Sequence, residues 1–289
     1  MKGIILAAGT GSRLAPLTKG VSKHLLPIYS KPLIYYPIST MMLAGIREIT
    51  IVVNQRDLDS YVDLLGSGDG FGLQFDFVVQ DAPLGIADGL LAAERSVGDE
   101  RFAVSLGDNI FYGSGFGSIL REAAIRNGAT AFCTKVSDPS QYGVLELSKN
   151  GNPSRVVEKP PSSNSNLAVT GLYFLDKYAF EVAKGLSPSA RGELEIGDIL
   201  NKYLDQGRMN FEVLPRGMFW MDAGTIDSMS KASEFVRILE ARQGLLVCSP
   251  EEIAMRLGWL SRRELQSLLS QESSSYFKGL LEVSAGDDD

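Results

Sequence analysis

Apolar residues fall along the chain in two rhythms. Short runs rich in β-branched residues at 3–8, 48–53, 75–80 and 102–106 alternate with helical patterns at 31–44, 58–65 and 86–96. Strands that are apolar almost throughout, separated by helices, belong in a parallel sheet whose two faces are both covered. The first part of the chain is therefore expected to be doubly wound α/β. Past residue 130 the rhythm changes. Strands are expected at 130–136, 144–148, 155–158 and 169–175, with Asn150-Gly151 as a hairpin turn signal, and helices return at 177–186 and 195–206. A strand near 211–214 and helices from 225 onward complete the pattern. The prediction is a Rossmann-like mixed sheet with helices on both faces and a helical C-terminal section, divided as 1–242 and 243–289. Residues 160–166 read as a polar, mobile loop and 286–289 as a frayed acidic tail.

Composition excludes several classes. With 44% apolar and 22% charged residues, the 289-residue chain lies far from the polar, highly charged regime that stays unfolded. The apolar run at residues 4–8 is too short for a signal peptide, and no run approaches the roughly 20 residues that span a bilayer, so a cytoplasmic protein is expected. Cys133 and Cys248 are far apart and form no C-x-x-C, which predicts neither a disulfide framework nor a zinc site. A formal charge of −7 argues against nucleic acid as a partner. Charge is uneven, however: residues 1–47 contain no Asp or Glu but carry Lys2, Arg13, Lys19, Lys23, Lys31 and Arg47. Such a gap in an acidic chain suggests a local site for a small polyanion.

The candidate chemistry follows from a few local patterns. Gly9-Thr10-Gly11-Ser12-Arg13, directly after the first strand, is a glycine-rich turn whose backbone N–H groups can approach phosphate. It matches neither the dinucleotide fingerprint, since Leu14 stands at the third glycine, nor the Walker A pattern. Lys23, before Leu25-Leu26-Pro27, can hold a triphosphate from a second side, with Arg13 binding phosphate oxygens bidentately. His24 is the only histidine, and no G-x-S-x-G elbow supports nucleophilic hydrolysis through it. Asp108 ends the strand 102–106, where open α/β sheets bind ligands, and is placed to hold Mg²⁺. Asp222, between Met221 and Ala223-Gly224, either supplies the second carboxylate or caps the helix starting near Thr225. Glu158-Lys159-Pro160 follows a strand, and Pro160 is expected to keep Lys159 extended. There Lys159 can neutralise a sugar phosphate while Glu158 accepts from sugar hydroxyls. Arg191, in the connection 188–195, either reaches that phosphate or caps the preceding helix.

Taken together, LAAGTGSRL with PLT and SKHLLPI, then LGDNIFYG at 106–113, VVEKP at 156–160, SARGELE at 189–195 and FWMDAGT at 219–225 resemble the glucose-1-phosphate thymidylyltransferases. The match runs through almost the whole chain. It implies a nucleotide-diphospho-sugar transferase fold, in which Arg13, Lys23 and the backbone of Gly9 and Gly11 hold dTTP while Gln80 and the Gly85 backbone read the pyrimidine. Asp108 and Asp222 would bind Mg²⁺, and Gly143, Glu158, Lys159, Val169 and Arg191 would line the pocket for a sugar-1-phosphate. Ala8, Ser12 and Asn109 complete the expected substrate contacts, with Arg13, Lys23, Asp108 and Lys159 as the catalytic set. The resemblance further implies a homo-oligomer, usually a tetramer, with feedback at a second site for which Arg216, Glu252 and Arg256 are the candidates.

Several positions depart from that family pattern: Ala8 for the first glycine, His24 for a glutamine, Leu84 for an acidic residue and Asp88 for a glutamine. The last three lie near the base and sugar sites. UTP therefore competes with dTTP as the nucleotide, since a glutamine cannot sense the thymine methyl, and another sugar competes with glucose. A non-catalytic nucleotide-sugar sensor is the reading from a different class. Retention of Arg13, Lys23, Asp108, Lys159 and Asp222 together argues against it.

Overall fold

Three parallel crossovers build the first half of the sheet. In the computed structural model, which describes residues 1–269 together with Tyr276, Gly279 and Leu280, β1 (Lys2–Leu6) is followed by a small hairpin, β2 (Pro27–Ile28) and β3 (Lys31–Pro32), and by α1 (Tyr35–Leu43). Next come β4 (Glu48–Val53), α2 (Leu58–Leu65), β5 (Gln74–Val79), α3 (Ile86–Val97) and β6 (Phe102–Leu106). β1 lies between β6 and β4, and β4 pairs with β5, all in parallel. Ile4 and Ile5 of β1 are both fully buried, as a strand covered on two faces requires.

The second half adds antiparallel strands. β7 (Asn109–Tyr112), α4 (Phe116–Ile125), β8 (Ala129–Lys135), β9 (Gly143–Leu147), β10 (Pro153–Glu158) and β11 (Leu167–Leu175) are followed by α5 (Tyr178–Lys184), α6 (Ile196–Asp205), β12 (Met209–Val213) and β13 (Phe219–Asp222). The order β10-β9-β11-β6-β1-β4-β5 forms the main path, with β8 on the other edge of β11 and β12 beyond β8. The chain then runs through α7 (Ile226–Gln243), α8 (Pro250–Arg256) and α9 (Arg262–Leu269). One core layer joins α3, α5 and α6 to the sheet, and the other joins α1, α2, α4 and α8 to it. No helix among the described residues is long and apolar enough to cross a membrane.

Two features of this topology make a cleft. β11 is nine residues long and wholly buried, and one of its edges is shared: residues 172–175 pair with β6, whereas Ala168 and Val169 pair with β9. The sheet forks between them at Gly171, whose N–H donates instead to the Asn109 side chain at 3.0 Å. A Cβ at Gly171 would stand 2.6 Å from Leu106 Cγ, so only glycine fits the fork. Beyond β6 the chain turns at Gly107 and Asp108, and β7 leaves the sheet to pair antiparallel with β13, placing Asn109 opposite Asp222.

Several expectations are corrected. The helix expected over 31–44 begins only at Tyr35, because Tyr29 (φ 57°) and Ser30 form a tight turn that pairs Ile28 with Lys31. Pro37 is tolerated in the first turn of α1, where its N–H is not needed. The β7–β13 ribbon and α4 had no counterpart in the pattern reading. No α-helix follows the glycine turn after β1; a single 3₁₀ turn at Ser12–Leu14 does, before a chain rich in turns. The hairpin at Asn150-Gly151 is present, with Gly151 at φ 79°. The acidic tail 286–289 lies outside the described residues.

Candidate active site

The carboxyl ends of β1 and β6 open into the cleft, the place where open α/β sheets bind ligands. After β1 the chain passes Ala8 and Gly9 and turns at Gly11, whose φ is 63°. A Cβ at Gly11 would lie 2.9 Å from Thr18 Cγ2 and 3.2 Å from Lys23 Cβ, while Thr18 Oγ1 donates to the Gly11 carbonyl at 2.8 Å. The loop is thus held against the segment carrying Lys23. Lys23 Cε passes 3.5 Å from where a Gly9 side chain would begin, and the ammonium donates to Asp108 Oδ2.

Asp108 is buried, and its Oδ1 accepts from Asn109 Nδ2 at 3.0 Å. Asn109 Oδ1 in turn accepts from Gly171 N–H and from Trp220 Nε1 at 2.6 Å, which locks the amide's orientation. Burial opposes ionisation of Asp108, but the charge and hydrogen bond of Lys23, with help from His24 and the Asn109 amide, together outweigh it and hold the carboxyl well below the usual carboxylate range. Asp222 behaves oppositely: burial first, and then the charge of Asp108, push its pKa up to about 6. Its Oδ1 is buried without a hydrogen-bond partner. Asp222 does not cap α7, because Thr225 and Ser228 form that capping box themselves. Two neighbouring carboxylates, one with an unsatisfied oxygen, have the donor chemistry that would hold a hard divalent cation. Among the described residues no group of three or more His, Cys, Asp or Glu side chains could hold a metal ion, so the pair would be a two-carboxylate site.

Two joined cavities share the walls Arg13, Ile86, Leu106, Asp108 and Glu193. The first, of about 280 Å³, is lined by Ala8, Gly9, Gly11, Ser12, Arg13, Lys23, Gln80 and Gly85 as well as Asp108. Gly85 has φ 110°, and a Cβ there would meet Leu194 backbone atoms at 2.6 Å. This close approach lets Leu194 N–H donate to Leu84 O at 2.7 Å and Leu194 O accept from Ala87 N–H, stitching the 189–195 segment to the start of α3.

The second cavity, of about 180 Å³, is lined by Asp108, Asn109, Gly143, Glu158, Lys159, Val169, Arg191 and Asp222. Arg191 contacts Glu158 at 3.2 Å, Glu193 at 3.1 Å and Glu195 at 3.4 Å, so it caps no helix. Burial raises the pKa of Glu158, with Lys159 and Arg191 opposing. Lys159 corrects an expectation: its φ is +41°, not extended. Its N–H donates to Tyr142 O and its ammonium stands 3.8 Å from Glu158, so the last β-type bond and the turn into Pro160 force the backbone into a strained region.

Every substrate and metal candidate from the sequence therefore lines one of these cavities. The proposed second-site residues do not: Glu252 and Arg256 form an i,i+4 ion pair at 2.7 Å on α8, and Arg216 is exposed in the turn before β13. Of the six cations in the acid-free stretch only Arg13 and Lys23 line the cleft. Lys31 is buried against Glu240 at 2.9 Å, Lys2 lies 3.5 Å from Glu48, and Arg47 lies over Trp259. Tyr142, next to Gly143, and Trp220, Glu193 and Glu195, inside the FWMDAGT and SARGELE motifs, also line the second cavity, although the sequence assigned them no role. Tyr142 and Trp220 pack edge to face at 5.1 Å.

Fold and cleft define a class: an α/β nucleotide-diphospho-sugar transferase. The pattern of the nucleotidyl transferase family matches residues 2–238. A Mycobacterium tuberculosis glucose-1-phosphate thymidylyltransferase is 46% identical over 98% of this chain and 99% of its own. A provisionally assigned glucose-1-phosphate thymidylyltransferase from Bacillus anthracis, solved with sucrose, is 40% identical with a TM-score of 0.75, covering 82% of this chain and 95% of that one. A UDP-glucose pyrophosphorylase solved with UDP-glucose is 27% identical with a TM-score of 0.72, covering 82% and 98%. The chain belongs to the nucleotidyl transferase family, among the glucose-1-phosphate thymidylyltransferases.

His24 yields a test. It is buried beside Lys23, with Nδ1 3.1 Å from both Ser22 Oγ and Tyr61 OH. Burial, aided by the Lys23 charge, pushes its pKa down to about 3. Between pH 6.5 and 3 the unfolded chain thus binds a proton that the folded chain refuses, so stability is full above pH 6.5 and lost as pH falls. The single imidazole NMR signal should stay fixed from pH 7.5 to about 4.5, and His24→Gln should flatten the stability slope over that range in denaturant melts. A ring titrating near its ordinary value would overturn this account.

Proposed function

We propose that the chain transfers a thymidylyl group from dTTP to glucose-1-phosphate, giving dTDP-glucose and pyrophosphate. The observation that carries this reading is the pair of cavities meeting at Arg13 and Asp108; the first, with its glycine turn and Lys23, is assigned to the nucleoside triphosphate and the second, with Lys159 and Arg191, to the sugar phosphate. Arg13, Lys23 and the backbone of Gly9 and Gly11 hold the triphosphate, with Ala8 and Ser12 beside them. Gln80 and Gly85 face the base. Lys159 and Arg191 neutralise the sugar phosphate, Glu158 accepts from sugar hydroxyls, and Gly143 and Val169 shape the pocket. Asn109 orients Asp108. The sugar phosphate oxygen attacks the α-phosphorus in line and pyrophosphate leaves opposite, so the protein's work is positioning and charge neutralisation. Asp108 and Asp222 hold Mg²⁺, which when bound supplies positive charge to the phosphate oxygens.

Outside the cleft, the section 243–289 is proposed to carry the oligomer and regulatory contacts of a cytoplasmic homotetramer without nucleic-acid or membrane partners. Exposed Ile238, Leu257 and Leu268 on and beside its helices support an interface there.

Pyrophosphate release with glucose-1-phosphate and Mg²⁺ tests the reading. Turnover with dTTP should be strong and should fall on the order of 10²- to 10³-fold in Asp108→Asn, as for loss of one preorganised charged group. A preference for UTP would reassign the base, and nucleotide binding without turnover would favour a sensor. Lys159→Gly should lose about 10²-fold in turnover yet melt no lower than the parent, because glycine adopts the positive φ without strain. A lowered melting temperature would count against the strained-lysine account. Light scattering should give the mass of four chains, and Arg256→Ala should relieve inhibition by a distal nucleotide sugar while leaving uninhibited turnover nearly intact. Parallel loss of both would argue against a second site.

A further inference from the structure

At the end of β5, buried Gln80 lays its amide against the first turn of α3. Its Nε2 donates to Asp88 Oδ2 at 2.7 Å and to Gly85 O at 3.3 Å. A carboxylate and a backbone carbonyl only accept, so an amide turned over would set its own oxygen against two acceptors. The orientation of Gln80 is therefore fixed by chemistry as well as by fit, and both of its N–H groups are occupied. What remains is Oε1, which makes no hydrogen bond among the described residues and is not one of the sealed polar atoms that lack a partner. Gly89 leaves it room, since a Cβ there would lie 3.4 Å from Oε1.

We infer that Asp88 is a positioning residue for base selection. By occupying the donors of Gln80 it makes this wall of the nucleotide cavity an acceptor. An acceptor aligned with N3 of the base selects thymine and uracil, which carry an N–H there, and disfavours cytosine, whose N3 carries a lone pair and whose N–H donors sit one position along the edge. The inference rests on the nucleotidyl-transfer reading above. It also gives a physical role to one of the positions where this chain departs from its family's usual sequence, since glutamine at 88 offers both a donor and an acceptor and would leave Gly85 O alone to fix the Gln80 amide. A merely structural role is the rival: Asp88 lies in the first turn of α3, where a carboxylate complements the helix dipole.

The two roles separate in a binding and kinetic comparison on the full chain. Affinities for dTTP and dCTP are measured by calorimetry, alongside kcat and KM for dTTP at saturating glucose-1-phosphate and Mg²⁺. For Asp88→Leu the expected result is a KM for dTTP raised about tenfold with kcat within about twofold, the scale of one lost hydrogen bond. The preference for dTTP over dCTP should shrink by about the same factor. Asp88→Asn, whose oxygen still accepts, should restore both, and the smaller Asp88→Ala gives a second reading if leucine disturbs α3. An unchanged dTTP to dCTP preference in the variants, with only the melting temperature lowered, overturns the inference, as does a parent that binds the two nucleotides equally. A parent that discriminates in binding but releases no pyrophosphate would count against the transfer reaction alone.

Discussion

The register between β7 and β13 is the constraint on which the site depends. Four residues on each strand set Asn109 opposite Asp222 and so bring together two carboxylates from distant parts of the chain in a poorly solvated place. Two like charges there are mutually unfavourable, and each group answers differently: Asp108 stays ionised against Lys23, while Asp222 takes the opposite shift. Much of the local architecture serves to hold this unfavourable pair. Trp220 fixes Asn109, Asn109 fixes Asp108, and Thr225 and Ser228 cap α7 so that Asp222 is not taken up by that role. A site whose partners are held apart from their preferred protonation is the kind of local conflict that a folded protein tolerates where function needs it.

The fork in the sheet supplies the second requirement, space. A continuous ladder along β11 would leave no gap for a substrate beside Asp108. β6 and β9 share one edge of β11 and part at Gly171, and Asn109 takes the hydrogen bond that the ladder gives up there. Across the cleft, the close contact of Gly85 with Leu194 ties the wall beside the base to the segment that carries Arg191, Glu193 and Glu195. The two cavities are thus coupled through backbone hydrogen bonds, and their relative position does not depend on flexible side chains.

Most of the parallel half was legible because its strands are fully apolar and its crossover helices amphipathic: β4, α2 and β6 fall on the expected residues. The missed ribbon shows the limit of periodicity. Strands of four residues, one of them carrying Asp222 and the other Asn109, have too few positions to display a period, and their register is set by tertiary pairing. The hairpin before α1 was hidden for a related reason. Lys31 reads as a solvated charge in sequence, yet Glu240, more than 200 residues away, makes it a buried pair. Charge counting likewise overstated the polyanion site, because it cannot distinguish Arg13, which lines the cleft, from Arg47, which lies over Trp259. Glycines were more informative. Gly11, Gly85 and Gly143 stand where a side chain would meet a neighbour that lines the site or positions it.

The charges around Arg191 extend the argument to selectivity. Within the chain its guanidinium is shared among Glu158, Glu193 and Glu195, so these three carboxylates outnumber Arg191 and nearby Lys159. An arriving phosphate therefore does not meet free cations; it exchanges with carboxylates and leaves them short of a partner. Half-buried Glu158 is one that is destabilised by losing its partner, since burial already raises its pKa. A bare phosphate ion offers nothing in return. A sugar phosphate brings hydroxyl donors that can satisfy Glu158 as its contact with Arg191 loosens. On the proposed reading, then, the acidic fan around Arg191 serves discrimination, since it makes occupancy of the second cavity depend on the sugar as well as on the charge.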